Sequence, residues 1–245
     1  MKKLVTALAV VATATVLLAG AASGSTRSVT VQQPPARIFA EAEAATLAAR
    51  SVTLTEHLVL GGKALYIKAK GRWPNRVELS VVSQGVSEEI VVVASTVYVE
   101  ANALGWESSY RLPAAAAAEL AGRWFTTSLS DPQLGASPAG LNPKSLERQV
   151  FSLVGRASSK LAVRPGRVAG RRALVLSDAG GAVYVAATGT PYVLRVTSTL
   201  PSDRGFLEFS GYGSSTNFAV PVGATSLDAA LAQAASPATT SSAAA

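Results

Sequence analysis

The chain has no cysteine. Disulfide staples and thiolate metal sites are excluded, and stability has to come from a packed core. There is one histidine, His57, so any Ser-His-Asp triad would have to be built on it. Neither a Gly-x-Ser-x-Gly elbow nor a Ser-x-x-Lys pair occurs. Metal sites want clustered His, Asp and Glu, yet the aspartates lie far apart, at 131, 178, 203 and 228. Gly211-Tyr-Gly213 lacks the third glycine and the following helix of a dinucleotide loop. The paired acids Glu88-Glu89 read as a solvated turn. The expectation is a chain with no catalytic residue, no metal and no cofactor.

Aromatic residues are also scarce, at 6%, so the interior is built from Val, Leu and Ala. Beyond the N-terminus no segment is long and apolar enough to span a bilayer. Acids and bases are mixed along most of the chain, which argues against a nucleic-acid coat.

What is present begins with an export signal. Lys2 and Lys3 precede an uncharged apolar stretch from Leu4 to Leu18, and small residues follow from Ala19 to Ala22. That order reads as a cleaved signal peptide over residues 1–21. Its removal lowers the net charge from +7 to +5, since two lysines leave. Leu18-Ala19-Gly20 is how a lipoprotein signal ends before its cysteine, but Ala21 stands there. A thioether-linked lipid needs a thiol, so the sequence as written is not lipid-anchored at that position. The protein is read as released outside the cytoplasm, or as a variant of a lipoprotein.

Residues 22–33 are polar and read as a tether. Residues 232–245 are low in complexity and read as a disordered tail. The folded part is placed at 34–231. Pro34-Pro35 opens a helix running to about Arg50. The period then changes to two. Val52, Leu54, Leu58 and Leu60 alternate, Gly61-Gly62 makes a two-residue hairpin turn, and Leu65, Ile67 and Ala69 return. Val77 to Val81, Ile90 to Ala94 and Thr96 to Glu100 continue the meander. Pro113 to Ala121 reads as a short alanine-rich helix, and Asn142-Pro143 opens another that closes at Gly155. Six further strands are expected over 161–164, 172–177, 182–187, 192–198, 205–210 and 216–220, the last stopped by Pro221. About eleven antiparallel strands with separated helices make an α+β domain, a single curved sheet with helices on one face.

Three features stand out on this frame. Glu56 shares by alternation the face of Leu54 and Leu58. A bulge or a strand end would turn it to water; otherwise it is a polar group inside a cavity. Arg148, Arg156, Lys160, Arg164, Arg167, Arg171 and Arg172 occur with no acid between Glu147 and Asp178. They form either a solvated strand pair or a patch for anionic lipid head groups, with Arg156, Lys160, Arg164, Arg167, Arg171 and Arg172 as the contact. Trp106 and Trp124 flank the alanine-rich helix and would pack it onto the sheet.

The order of short motifs resembles the LppX/LprA/LprF/LprG family of mycobacterial-type envelope lipoproteins, within the wider LolA-like group. After the N-terminal helix come Ser51-Val-Thr-Leu-Thr, Thr96-Val-Tyr-Val-Glu and Ala121-Gly-Arg-Trp-Phe. Later come Val168-Ala-Gly170-Arg171, Val183-Tyr-Val, Gly189-Thr-Pro191-Tyr-Val-Leu-Arg195 and Phe209-Ser-Gly-Tyr-Gly213, then Pro221. The resemblance covers most of the mature chain and departs at Ala21, where the family has its lipidated cysteine. It implies a half-open β-barrel with helices over the concave face, an apolar cavity for acylated lipids or glycolipids, and no catalytic residue. The leading expectation is therefore an exported, monomeric, non-enzymatic lipid carrier. By alternation, Leu54, Leu58, Leu65, Ile67, Leu79, Val92, Leu194, Val196 and Phe209 should face the concave side and hold the ligand. The alternative is an envelope interaction or sensor domain with the same fold and a filled core, binding a protein partner. A third reading, a hydrolase, would need a convergent triad around His57.

Overall fold

The computed structural model describes residues 28–72, 76–129, 131, 161–200, 203–214 and 219–235. Helix α1 (Pro35–Ala48) leads into five strands: β1 (Ser51–Leu60), β2 (Lys63–Arg72), β3 (Arg76–Ser83), β4 (Val86–Val93) and β5 (Thr96–Ala101). Two short helices, α2 (Ala103–Ser109) and α3 (Ala114–Leu120), precede β6 (Phe125–Ser128). The chain then runs through β7 (Ala162–Val168), β8 (Arg171–Ser177), β9 (Gly181–Ala186), β10 (Val193–Ser198) and β11 (Asp203–Ser210). It ends in β12 (Thr225–Ser226) and α4 (Leu227–Ala235).

All twelve strands among the described residues form one open, curved sheet in the order β12-β6-β5-β4-β3-β2-β1-β11-β10-β9-β8-β7. Every pair is antiparallel except β12 with β6. The chain lays down two meanders, β1 to β6 and β7 to β11. Pairing of β1 with β11, from Thr53–Ser210 to Leu60–Asp203, joins them. The hairpin expected at Gly61-Gly62 is present, with both φ angles positive, 56° and 80°. That is the backbone a tight two-residue turn needs, and glycine adopts it without strain.

The helices stand in two groups on one face. Prolines at its start set the direction of α1, and Ile38, Phe39 and Ala42 bury its inner side against β9 and β10. At the other end, α2 packs on β4 and β5, and α4 on β6 and α3. Asn102 caps α2 by accepting from the Gly105 N–H (2.8 Å). Its amide also donates to the Gly85 carbonyl in the β3–β4 turn (2.6 Å). Trp106 on α2 is fully buried, with Tyr110 at 4.6 Å and Phe125 edge-on at 5.5 Å between ring centroids. Of the two tryptophans expected to pack this region, Trp124 stays half-buried.

The strand count of twelve sits close to the expected eleven, but the composition differs. β6 and β12 are additional. Both are short and depend on pairing rather than on an alternating pattern. Of the strand expected over 216–220, Ala219 and Val220 carry no regular structure, and 216–218 lie outside the described residues. The helix expected to open at Asn142-Pro143 lies outside them as well. So do residues 1–21, residues 22–27 of the tether, Arg148, Arg156 and Lys160. Helix α4 continues to Ala235, four residues past the edge placed at Leu231, because Leu227 anchors it in the core at 0% exposure.

Candidate functional site: an apolar trough on the concave face

Strand register decides which side chains share the helix-covered face. Along β1 these are Val52, Leu54, Glu56 and Leu58; their partners are Gly71, Ala69, Ile67 and Leu65 on β2. The same face continues through Val77, Leu79 and Val81 on β3, Glu88, Ile90 and Val92 on β4, and Leu207 and Phe209 on β11. Exposure divides this face into two zones. Leu54, Ile67, Leu79, Val92 and Phe209 are buried in the main core together with Ile38, Phe39 and Trp106. Toward the Gly61-Gly62 turn, Leu58, Leu65, Val81 and Leu207 remain half-buried. These four lie on β1, β2, β3 and β11, the central strands between the two groups of helices. The result is an apolar trough, floored by leucine and valine and walled by helices at its two sides.

Most of the nine residues expected on this face are there. Leu54, Ile67, Leu79, Val92, Val196 and Phe209 share one buried cluster, with Leu65 packed against it. Leu58 is on the same face, in the half-buried zone. Leu194 is not. Register shifts between Val193 and Arg195, so this bulge breaks the alternation that would have put Leu194 beside Val196. Leu194 packs on the opposite face with Val168, Ala173 and Ala186, and Val193 takes the inner place.

Glu56 stays in the trough. β1 runs unbroken in register with both neighbours, so no bulge turns the side chain away, as the sequence had allowed. Its cross-strand partners are Ile67 and Leu207. Burial among them pushes its carboxyl up to about 7, since a charge is poorly solvated there. Glu88 lies on the same row, beyond Ile67 and Val81. Burial raises its carboxyl too, opposed by a hydrogen bond donated from the Ser109 hydroxyl. Glu88 is thus a structural ligand of α2 rather than the solvated turn residue expected. Burial first, then Glu88 and Asp131, raises the neighbouring Tyr110 hydroxyl.

His57 points the other way. On the convex face its ring stacks on Phe206 at 4.7 Å and meets Tyr66 edge-on at 4.4 Å. These rings, with Val59, Val82 and Arg204, line a groove of about 440 Å³. A second groove of about 380 Å³ runs between Glu89, Glu100, Asn102 and Gly122. The first groove shares Leu58 and Leu65 with the trough, whereas the second is lined mainly by Ser87, Glu89, Glu100 and Asn102 and lies apart from it. Among the described residues no group of three His, Asp or Glu could hold a metal ion, and no helix is long and apolar enough to cross a membrane.

The described part of the basic segment forms the β7–β8 hairpin at one edge of the sheet. Arg164, Arg167, Arg171 and Arg172 are all exposed there, and Arg167 donates to the Gly170 carbonyl across the turn (3.1 Å).

No family model matches the chain, and no curated protein does. Two solved structures similar to it are lipoproteins of the group its motifs resemble. One is LppX from Mycobacterium tuberculosis, 14% identical over 75% of this chain and 97% of that one, with a TM-score of 0.45. The other is LprF from Mycobacterium bovis, 11% identical over 76% of this chain and 96% of that one, with a TM-score of 0.47.

Proposed function

We propose that the protein is an exported, non-enzymatic carrier that takes the acyl chains of a lipid or glycolipid into the concave trough. The observation that carries this reading is the half-buried set Leu58, Leu65, Val81 and Leu207 on the central strands, flanked by helices on both sides. A contiguous apolar set left part-open on the helix-covered face marks a surface for an apolar partner. Each methylene transferred from water onto such a surface contributes about 0.8 kcal/mol, so two or three chains bind tightly without a polar anchor. Unloading needs a membrane or a partner able to take the chains. The exposed arginines 164, 167, 171 and 172 suit an anionic head-group layer, at roughly 1 kcal/mol per basic residue near the surface. Export through the N-terminal signal, release near Ala22 and a monomeric state complete the reading. His57, stacked on Phe206 on the convex face, is given no part in it.

The test is native mass spectrometry of protein purified from its own host, with wild type beside Leu65→Trp and Leu207→Trp. Both substitutions put a large ring into a half-filled trough, where volume is accepted more readily than in a packed core. A co-purifying lipid on the wild type, lost in both variants at unchanged melting temperature, is the expected result. A wild type that carries no lipid and takes up no acyl-chain probe sinks the proposal.

A further inference from the structure

Across the floor of the trough, strand register sets one row of side chains: Val196, Leu207, Glu56, Ile67 and Val81. Only one of the five is ionisable, and it lies at the centre. Above and below it on β1 are Leu54 and Leu58. Its carboxyl makes no hydrogen bond and no ion pair among the described residues. The charged groups on the same face of the surrounding strands are remote. Lys63 lies two rows away at the hairpin tip, paired with Leu60, about 14 Å along the strand. Glu88 is three strands across, again about 14 Å, and is held by Ser109. Lys68 and Arg204 pair with Thr55 and Val59 and so point to the convex face. The protein thus places a carboxylate on an apolar wall, at the border between buried Leu54 and half-buried Leu58, and none of the described residues partners it.

A group so placed costs stability and returns nothing to the fold. The vacancy fits a ligand that brings the missing charge. We infer that Glu56 is a head-group site within the trough, and that it selects amphiphiles carrying an ammonium group over neutral or anionic ones of the same chain length. The inference rests on the carrier reading: alkyl chains lie along Leu58, Leu65, Val81 and Leu207, and the ammonium donates to the Glu56 carboxylate. Charge-assisted hydrogen bonds of this kind, made away from water, favour the charged head by about 10- to 100-fold. An anionic head is repelled by the same carboxylate. Because burial pushes the Glu56 carboxyl to about 7, the free protein must give up a proton to bind at lower pH. Affinity for the ammonium should therefore fall roughly tenfold between pH 8 and pH 6, following the ionised fraction.

Calorimetric titration of the full chain with dodecylammonium, dodecanol and dodecanoate, all below micelle formation, tests this. Wild type and Glu56→Gln are compared at pH 6 and pH 8. The amide keeps the shape and removes the charge, and a melt of each variant checks folding. The expected result is preference for dodecylammonium in wild type, growing from pH 6 to pH 8, with no head-group preference and no pH dependence in Glu56→Gln. Equal binding of all three probes, or a preference that survives in Glu56→Gln, overturns the head-group site while leaving the carrier intact. Failure of every probe to bind overturns both.

Discussion

Thr46 is a polar residue at 0% exposure, and its hydroxyl has one task. Beside the bulge in β10, the Val193 N–H turns out of the ladder and donates to Thr46 Oγ1 (3.0 Å). A buried amide without a partner would cost its full desolvation. Thr46→Val keeps the shape and removes the acceptor, so it should destabilise by about 1–3 kcal/mol, read as a lower denaturant midpoint at unchanged slope. Thr46→Ser should restore most of it. If Thr46→Val melts like wild type, the hydroxyl is not what holds α1 to β10. Glu56 has the opposite sign. Its carboxyl rises from 4.5 unfolded to about 7 folded, so the native state binds more protons across that window. Its stabilising effect is complete below pH 4.5 and is lost as pH climbs through 7. The loss is about 3 kcal/mol at most. Glu56→Gln should therefore be more stable than wild type at pH 8 and nearly equal to it at pH 4, by chemical denaturation at the two values. A difference that does not change with pH would mean that Glu56 is solvated in the native state.

The open sheet has two edges, and its end strands handle them differently. β12 is two residues long and runs straight into α4, so it offers little to pair with. β7 is longer and lies at the other end. It carries Pro165, opposite Leu174 in the ladder, and proline is tolerated within a sheet on such an edge strand. Exposed Arg164 and Arg167 stand either side of it. Charge and proline together make a poor template for another chain. Pro165→Val restores a donor on this edge strand. The expected outcome is self-association that grows with concentration in sedimentation experiments where wild type does not change; an unaltered mass distribution would assign protection to the arginines alone. These elements also show what was legible in the sequence. Long strands with period-two burial were, as was α1, because Pro34-Pro35 fixes its start. β6 is four residues long and exists through its pairing with β5. α2 is barely two turns and is held by a cap that reaches back to the β3–β4 turn. Neither has a local signal to find. Leu194 was misplaced for a related reason: alternation assumes an unbroken ladder, and one inserted residue reverses it.

At the scale of the molecule, the trough lies between the two groups of described helices, over the central strands. The alternating pattern showed which residues share a face, but both zones of that face look alike in sequence. Leu54 and Leu58 differ only in what lies over them, a long-range property. The strand order is just as non-local. β1 sits in the middle of the sheet, bonded to β2 immediately after it in the chain and to β11 near the chain's end. α1, directly before β1, packs on β9 and β10.

That seam determines how the protein can be born. Synthesis delivers α1 and β1 first, and β11 almost last. Until then β1 is a ten-residue strand with one side of its backbone unsatisfied, and α1 has no surface to lie on. The nascent chain therefore waits, aggregation-prone, for nearly its whole length, and no N-terminal portion is a smaller folded version of it. Chains stopped before Asp203 should gather in inclusion bodies rather than yield a soluble half-sheet, while those stopped after Ala235 should stay soluble. Fractionating expressed truncations on either side of β11 checks this. A soluble, cooperatively melting fragment over 28–129 would show that the first meander folds without its seam.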